Sequence, residues 1–332
     1  MKMSGNRTTM WGSKARTDAN FLQPAPKGDN EVPATKAPEI MDRVASSLAE
    51  ARHWLDRGRL FRMRAAIAAI LVGVSLAIVG TAAAQFGRGG GRFRSRMATS
   101  DSYDGRFHYC RAVYRPNPFG DGGDWTTDYP QADIDLSIRL SELTKTPVSF
   151  DKSGYPQHLI VRLTDDELYR CPIIIMQEVG RLFFDDTDAA HLRYYLLKGG
   201  FLWVDDFWGS YAWDVWVRQI RKVFPPAEFP IVDVPIGHAM FRTLFEVQKL
   251  PQIPSIKFWL GTGGTSERGA DSAQPHARAI FDEKGRAMVF MTHNTDFGDS
   301  WEREGEDPRY FYAFSVDGYA IAVDVLLYAM TH

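Results

Sequence analysis

The stretch from residue 172 to residue 210 constrains the fold more than any other part of the chain. Residues 172–176, PIIIM, form a continuous apolar run of strand length. Such runs belong to strands covered on both faces, the mark of a parallel sheet. An amphipathic helix follows, opened by Asp186 or Thr187, with Ala189, Leu192, Tyr195 and Leu196 on one face and Gly199 as its left-handed cap. Residues 201–204 make a second buried strand, which ends in two adjacent carboxylates, Asp205 and Asp206, before Ser210 caps a further helix. Strand, helix and strand of this kind make a βαβ unit. In open α/β sheets ligands bind just beyond the carboxyl ends of strands, so Asp205 and Asp206 stand where a site is expected.

The same alternation continues on both sides. An alternating first strand spans 106–113, a helix covers 131–144, and short strands are expected at 147–150 and 159–163. Trp213, Trp216, Val217, Ile220, Val223 and Phe224 repeat at helical spacing until Pro225-Pro226 stops the run. A strand at 229–234, a short helix at 239–244, a hairpin pairing 279–282 with 287–292 and an apolar helix at 316–330 complete the pattern. Residues 251–274 read as a flexible surface loop; the glycines at 261–264 join no strand to a helix start, so no phosphate cradle is expected there. The prediction is one α/β domain over 106–332, with a mostly parallel sheet and helices on both faces.

Residues 1–62 are a polar extension, disordered at first and more helical from 40 to 60. Within 63–84, twenty residues from Ala65 to Ala84 carry no charge. They fit either a signal peptide starting at Met63 and ending in an A-x-A site, or a transmembrane helix that holds the protein in the membrane through 65–84 if uncleaved. Residues 85–105 form a Gly/Arg linker. Both readings put the domain in the periplasm or cell envelope. Two cysteines, Cys110 and Cys171, rule out a zinc cluster or a disulfide-dense scaffold. An exported compartment permits a bridge between them, but two buried thiols are the favoured reading. A net charge of -2 with 24% charged residues gives no footprint for nucleic acid.

The chemistry-bearing candidates are Asp205, Asp206, His238, Asn294 and Asp296, all expected on loops leaving strand ends. Adjacent buried carboxylates need a cation, a shared proton or N–H donors. Oxygen ligands with one imidazole suit Mg, Mn or Ca, although spacing alone assigns no metal-ligand set and no cofactor. Structural roles compete: Asp206 as the N-cap of the helix after it, Asp205 paired with an arginine, His238 hydrogen-bonded in a turn, and residues 294–296 in an Asx turn. Nucleophile-elbow serine, zinc-protease, P-loop and dinucleotide motifs are absent from the sequence.

Several landmarks now gather into a resemblance. Gly123-Asp124-Trp125 with Asp128, Leu192-Arg193-Tyr194-Tyr195 leading into Gly199-Gly200-Phe201-Leu202, Asp205-Asp206 with Gly209-Ser210, His238 with Phe241, Asn294 with Asp296, Trp301-Glu302 and Tyr328-Ala329 resemble the prokaryotic family called domain of unknown function 4159. The resemblance spans roughly residues 107–331. It implies a class I glutamine amidotransferase-like, flavodoxin-like α/β sandwich and no assigned activity. His238-Ala239 departs from the family's usual His-Pro, which would loosen that turn. In true amidotransferases a cysteine occupies the elbow after the strand equivalent to 201–204. An aspartate stands there in this chain, and neither cysteine is near it, so thiol chemistry is not expected.

Two functions follow. The favoured one is an exported, non-catalytic binding or interaction module that holds envelope carbohydrate, peptide or a protein partner through Trp208, Trp259, Trp301 and Glu302. The alternative is a metal- or carboxylate-dependent hydrolase of envelope material using Asp205 and Asp206. Carboxylates converging on an open pocket would favour the enzyme; Asp206 buried against helix N–H groups would favour the module.

Overall fold

The computed structural model describes residues 97–332. The expectations for 1–62, for the signal or transmembrane segment at 63–84 and for the linker up to residue 96 lie outside the described residues.

In chain order the strands are β1 (Tyr109–Val113), β2 (Arg115–Pro116), β3 (His158–Arg162), β4 (Ile173–Gln177), β5 (Leu182–Phe183), β6 (Phe201–Asp205), β7 (Val232–Asp233), β8 (His276–Phe281) and β9 (Ala287–His293). The main helices are α1 (Gln131–Leu143), α2 (Asp186–Leu197), α3 (Gly209–Val223), α4 (Ile256–Thr262), α5 (Phe297–Glu302) and α6 (Val316–Thr331). Seven strands make one sheet in the order β3-β1-β4-β6-β9-β8-β7, and β2 pairs with β5 beside it. From β3 to β9 all neighbours are parallel; only the β9-β8-β7 edge is antiparallel. This is a mixed α/β fold with a mostly parallel sheet.

Alternation along the central strands builds a core on each face. Ile174 and Met176 of β4 with Leu202 and Val204 of β6 pack under α2 and α3, against Leu192, Leu196, Trp216 and Ile220. Ile173 and Ile175 with Phe201 and Trp203 pack on the other face against Leu136 and Leu140 of α1 and Ile321 and Val325 of α6. Burying each such side chain contributes roughly 1.5–3 kcal/mol, which accounts for near-continuous apolar strands in the sequence. The helical run Pro308–Thr331 is long and apolar enough to cross a membrane, yet 61% of its most apolar window is buried. It is a core helix here.

Helix α2 begins in a capping box between Asp185 and Asp188 and ends at Gly199, whose φ of 109° lies in the left-handed range. Gly200 serves a different purpose, since a Cβ there would collide with the Tyr195 ring. That ring is fixed by its hydroxyl, which donates to the Cys171 carbonyl at 2.9 Å.

Four expectations need correction. Cys110 and Cys171 are not separate thiols but a disulfide, with Cα atoms 6.2 Å apart and a separation of 61 positions in sequence. The pairing of β1 with β4 brings them together, since Cys171 lies just ahead of β4 and both sulfurs belong to the core on the α2–α3 face. Residues 147–150 supply only isolated bridges at Val148 and Phe150. The strand at 229–234 shrinks to β7, because Pro230 and Pro235 cannot donate to a ladder and leave it as a short edge. Finally, residues 251–274 contain α4 and pack in an ordered way against the carboxyl end of the sheet.

Candidate functional site

Among the described residues, four that are not glycine have positive φ: Asp128 (60°), Glu178 (54°), Asp206 (56°) and Asn294 (63°). Glu178, Asp206 and Asn294 directly follow β4, β6 and β9, three neighbouring parallel strands, and Asp128 precedes α1. Left-handed backbone is disfavoured for side chains with a Cβ, so such residues mark places where something else fixes the chain. Here they mark one end of one sheet.

Asp205, the last residue of β6, points inward. Its Oδ2 accepts from the N–H groups of Phe297 at 2.8 Å and Gly298 at 3.1 Å, and its Oδ1 accepts from the Thr292 hydroxyl. It therefore holds the start of α5 and pairs with no arginine. Burial pushes its pKa up to about 7 against the pull of these donors. Asp206 turns the other way, toward the cleft, where its Oδ1 accepts from Trp208 Nε1 at 2.9 Å. It caps no helix. The first N–H groups of α3 go elsewhere: Gly209 donates to Asn294 Oδ1 at 2.8 Å and Ser210 to Asp271 Oδ2 at 2.9 Å. Asp296 caps α5 by accepting from Asp299 N–H at 2.8 Å.

Asp128 is placed by Arg111, the buried cation of β1. Its guanidinium pairs with Asp133 of α1 and donates to the carbonyls of Trp125 at 3.0 Å and Thr127 at 2.9 Å, gripping the loop that ends at Asp128. Asp128 Oδ2 is buried without a hydrogen-bond partner. It lies against Gly298, where a Cβ would displace both that oxygen and Gln177 Nε2.

Oxygens of Asp128, Asp206 and Asp296 lie within 4.8 Å of one another, and so do those of Asp128, Asp299 and Glu302. The first three carboxyls are all held well above the usual carboxylate range, by burial first and then by neighbouring carboxylates. Glu178, half-buried, is pushed up to about 7 by its partial removal from water. A cleft of about 310 Å³ opens onto these groups, with Trp208 in its wall and Ser255, Lys257, Glu267, Arg268 and Arg303 on the side of α4 and α5. The segment over it is tied by Ser255 N–H to Glu267 at 2.7 Å and by Gln252 to the Ser272 carbonyl at 2.7 Å, and Arg268 reaches Asp121 across the mouth at 3.3 Å. Like charges this close ionise together only with a counter-cation, so the chemistry available is cation binding by oxygen donors or proton transfer among carboxyls.

Of the residues expected from sequence, Asp205, Asp206, Asn294, Asp296, Trp208 and Glu302 come together at this end. His238 does not: it lies at the opposite end of β8 and β9, its ring tilted against Phe281 and edge-on to Tyr328, with Nδ1 accepting from Met240 N–H at 3.2 Å. Trp259 packs on Tyr310 and Phe314, and Trp301 is fully buried against Trp203. Sequence reasoning missed Glu178, Asp299 and the cleft wall at 255–268, and saw Asp128 only as a landmark. Glu178 was within reach, since it follows the PIIIM strand just as Asp206 follows its neighbour.

No curated protein matches the chain. A family model described as Domain of unknown function (DUF4159) matches residues 111–330, well over half of the chain and all of the carboxylate cluster, and the chain therefore belongs to the DUF4159 family.

Proposed function

We propose that the domain is a divalent-cation-dependent hydrolase of envelope material, built on an amidotransferase-like scaffold whose nucleophile position is held by an aspartate. The observation that carries this reading is the convergence of Asp128, Asp206 and Asp296 on an open cleft. Oxygen-only donors suit Mg, Mn or Ca, and a cation in such a site lowers the pKa of a bound water. Glu178, with a proton affinity near neutrality and a place in the same cleft, suits the role of general base. The cleft volume is at the small end for a ligand site, which fits one sugar or a short peptide unit. Asp206 sits in a left-handed strand-to-helix corner between β6 and α3, which supports the amidotransferase-like reading of the scaffold. The disulfide and the apolar segment at 65–84 support export to the periplasm or envelope, by cleavage or by anchorage.

The non-catalytic binding module remains as a second reading because, among the described residues, no histidine or cysteine lines the cleft and proton transfer would fall chiefly to its carboxyls. Metal analysis after dialysis against Mn²⁺, Mg²⁺ and Ca²⁺ tests the first reading, with the full chain beside an Asp206→Asn/Asp296→Asn variant. Bound cation in the first and none in the second is the expected result; equally empty proteins would sink it. Assays on glycan and peptide fragments of cell wall, with and without chelator, then separate hydrolase from module.

A further inference from the structure

The acidic cluster holds more donors than one cation uses. Asp206 and Asp296 form a triad with Asp128 on one side, and Asp299 and Glu302 form a second triad with the same Asp128 on the other. A cation with oxygen ligands about 2.1–2.4 Å away reaches oxygens up to roughly 4.8 Å apart, the span found in both triads. The shared Asp128 is 9% exposed, and its Oδ2 has no hydrogen-bond partner although it is buried. The side chain that hydrogen-bonds Asp128 is another acid, Glu302, and among the described residues no amide, hydroxyl or cationic donor reaches that buried oxygen.

Charge points the same way. Seven acidic side chains and three basic ones line the cleft, and Glu302 behind them is another acid, so ionising all of them would leave an excess of five negative charges. One divalent cation leaves most of that excess unmatched. Resting on the cation-centre reading above, we infer that the cleft holds two divalent, oxygen-preferring cations bridged by Asp128, one with Asp206 and Asp296 and the other with Asp299 and Glu302.

The two positions are unequal. Arg303 Nε lies 2.8 Å from Glu302 and 3.6 Å from Asp299, so the second triad already has a positive neighbour, whereas Asp206 in the first has carboxylates and the neutral Trp208 N–H about it. The first cation binds more tightly. A bridging carboxylate sets two ions about 3.5–4 Å apart, close enough to act on the attacking and leaving oxygens of one displacement.

Mn²⁺ titrated into the chelator-stripped full chain tests this, with bound metal counted and the electron paramagnetic resonance spectrum recorded. Two equivalents are expected, the second roughly tenfold weaker, with an exchange-coupled signal replacing the single-ion pattern. Glu302→Gln should leave one equivalent and abolish the coupling. Arg303→Gln should tighten the second site several-fold, which loss of a merely structural contact would not do. One uncoupled equivalent, unchanged by Glu302→Gln, overturns the pair and leaves a single centre intact; no bound Mn²⁺ overturns both readings. Should Glu302→Gln fail to match the wild-type circular dichroism, stoichiometry and coupling in the wild type decide alone.

Discussion

Two sets of buried charges lie a few residues apart at the same end of the sheet, and the protein treats them in opposite ways. Arg111 and Asp133 are both fully buried, and the guanidinium spends its donors on Asp133, on the carbonyls of Trp125 and Thr127 and on Gln177 Oε1. That set is neutral and satisfied. Asp128, Asp206 and Asp296 are almost as deeply buried, but the charges crowded about them are mostly those of other acids, and among the described residues Asp128 Oδ2 has no amide, hydroxyl or cationic donor. The first assembly holds the loop still; the second is what the loop presents. A chain that can satisfy a buried ion so thoroughly, yet leaves three acids unmatched within 4.8 Å of each other, has left room for a charge from outside.

The contrast can be broken at its strongest point first. Arg111→Met should cost about 3–5 kcal/mol in a urea melt, because Asp133 is left buried and unpaired, and adding Asp133→Leu should recover most of the loss. A single variant as stable as wild type would show that the pair does not hold the loop. Reduction of the Cys110–Cys171 bridge, which closes a loop of 61 residues onto the same strand β1, should cost about 4 kcal/mol by the chain-entropy model. A melt unchanged by reductant would remove the bridge from any account of stability.

A third buried group sharpens the comparison through pH. His293, whose Nε2 donates to the Gly209 carbonyl at 3.0 Å, is pushed down from 6.5 to about 4, by burial first. The unfolded chain takes up this proton near 6.5 and the folded chain only near 4. Stability is therefore full above 6.5 and falls as pH drops toward 4, by about 3 kcal/mol in all. Comparing melts across that window, His293→Asn should flatten this component. The smallest effect is the most pointed. Without cation, Asp206→Asn should raise stability by about 1 kcal/mol, since it removes an acid from a like-charged cluster. With excess Mn²⁺ the wild type should gain and overtake it. An Asp206→Asn variant that is less stable than wild type in chelator would place Asp206 among the satisfied groups, with Arg111.

Much of this was legible beforehand. PIIIM, the Gly199-Gly200 stop and the strand into Asp205-Asp206 encode local rules of burial and capping, and β4, α2 and β6 follow them closely. The hairpin β8–β9 was read for the same reason. What the sequence left hidden depends on distances between remote segments. Nothing local says that Cys171 meets Cys110 on the same face of neighbouring strands, or that Asp128 and Asp299 meet. His238 looked equivalent to Asp206 because both follow short strands, and β7 does run in the same direction as β6 and β9, but it is only two residues long at the sheet edge and the chain after it turns back, leaving His238 beside Phe281 and Tyr328 at the far end. Asp205 and Asp206 adjoin in sequence and part in space, because successive residues leaving a strand face opposite ways.

The segment over the cleft carries one more consequence, which concerns rates. Toward the rest of its own wall it is tied by half-buried bonds, but the Arg268–Asp121 ion pair that spans the mouth is about two-fifths exposed on each side. Salt screens such exposed pairs over about 8 Å at physiological strength and touches buried donors far less. On the proposed reading, ionic strength should thus alter how quickly a cation or substrate enters and leaves, while the grip of the carboxylates stays nearly constant. Traffic and affinity are then set by different parts of the chain, and one can be tuned without disturbing the other.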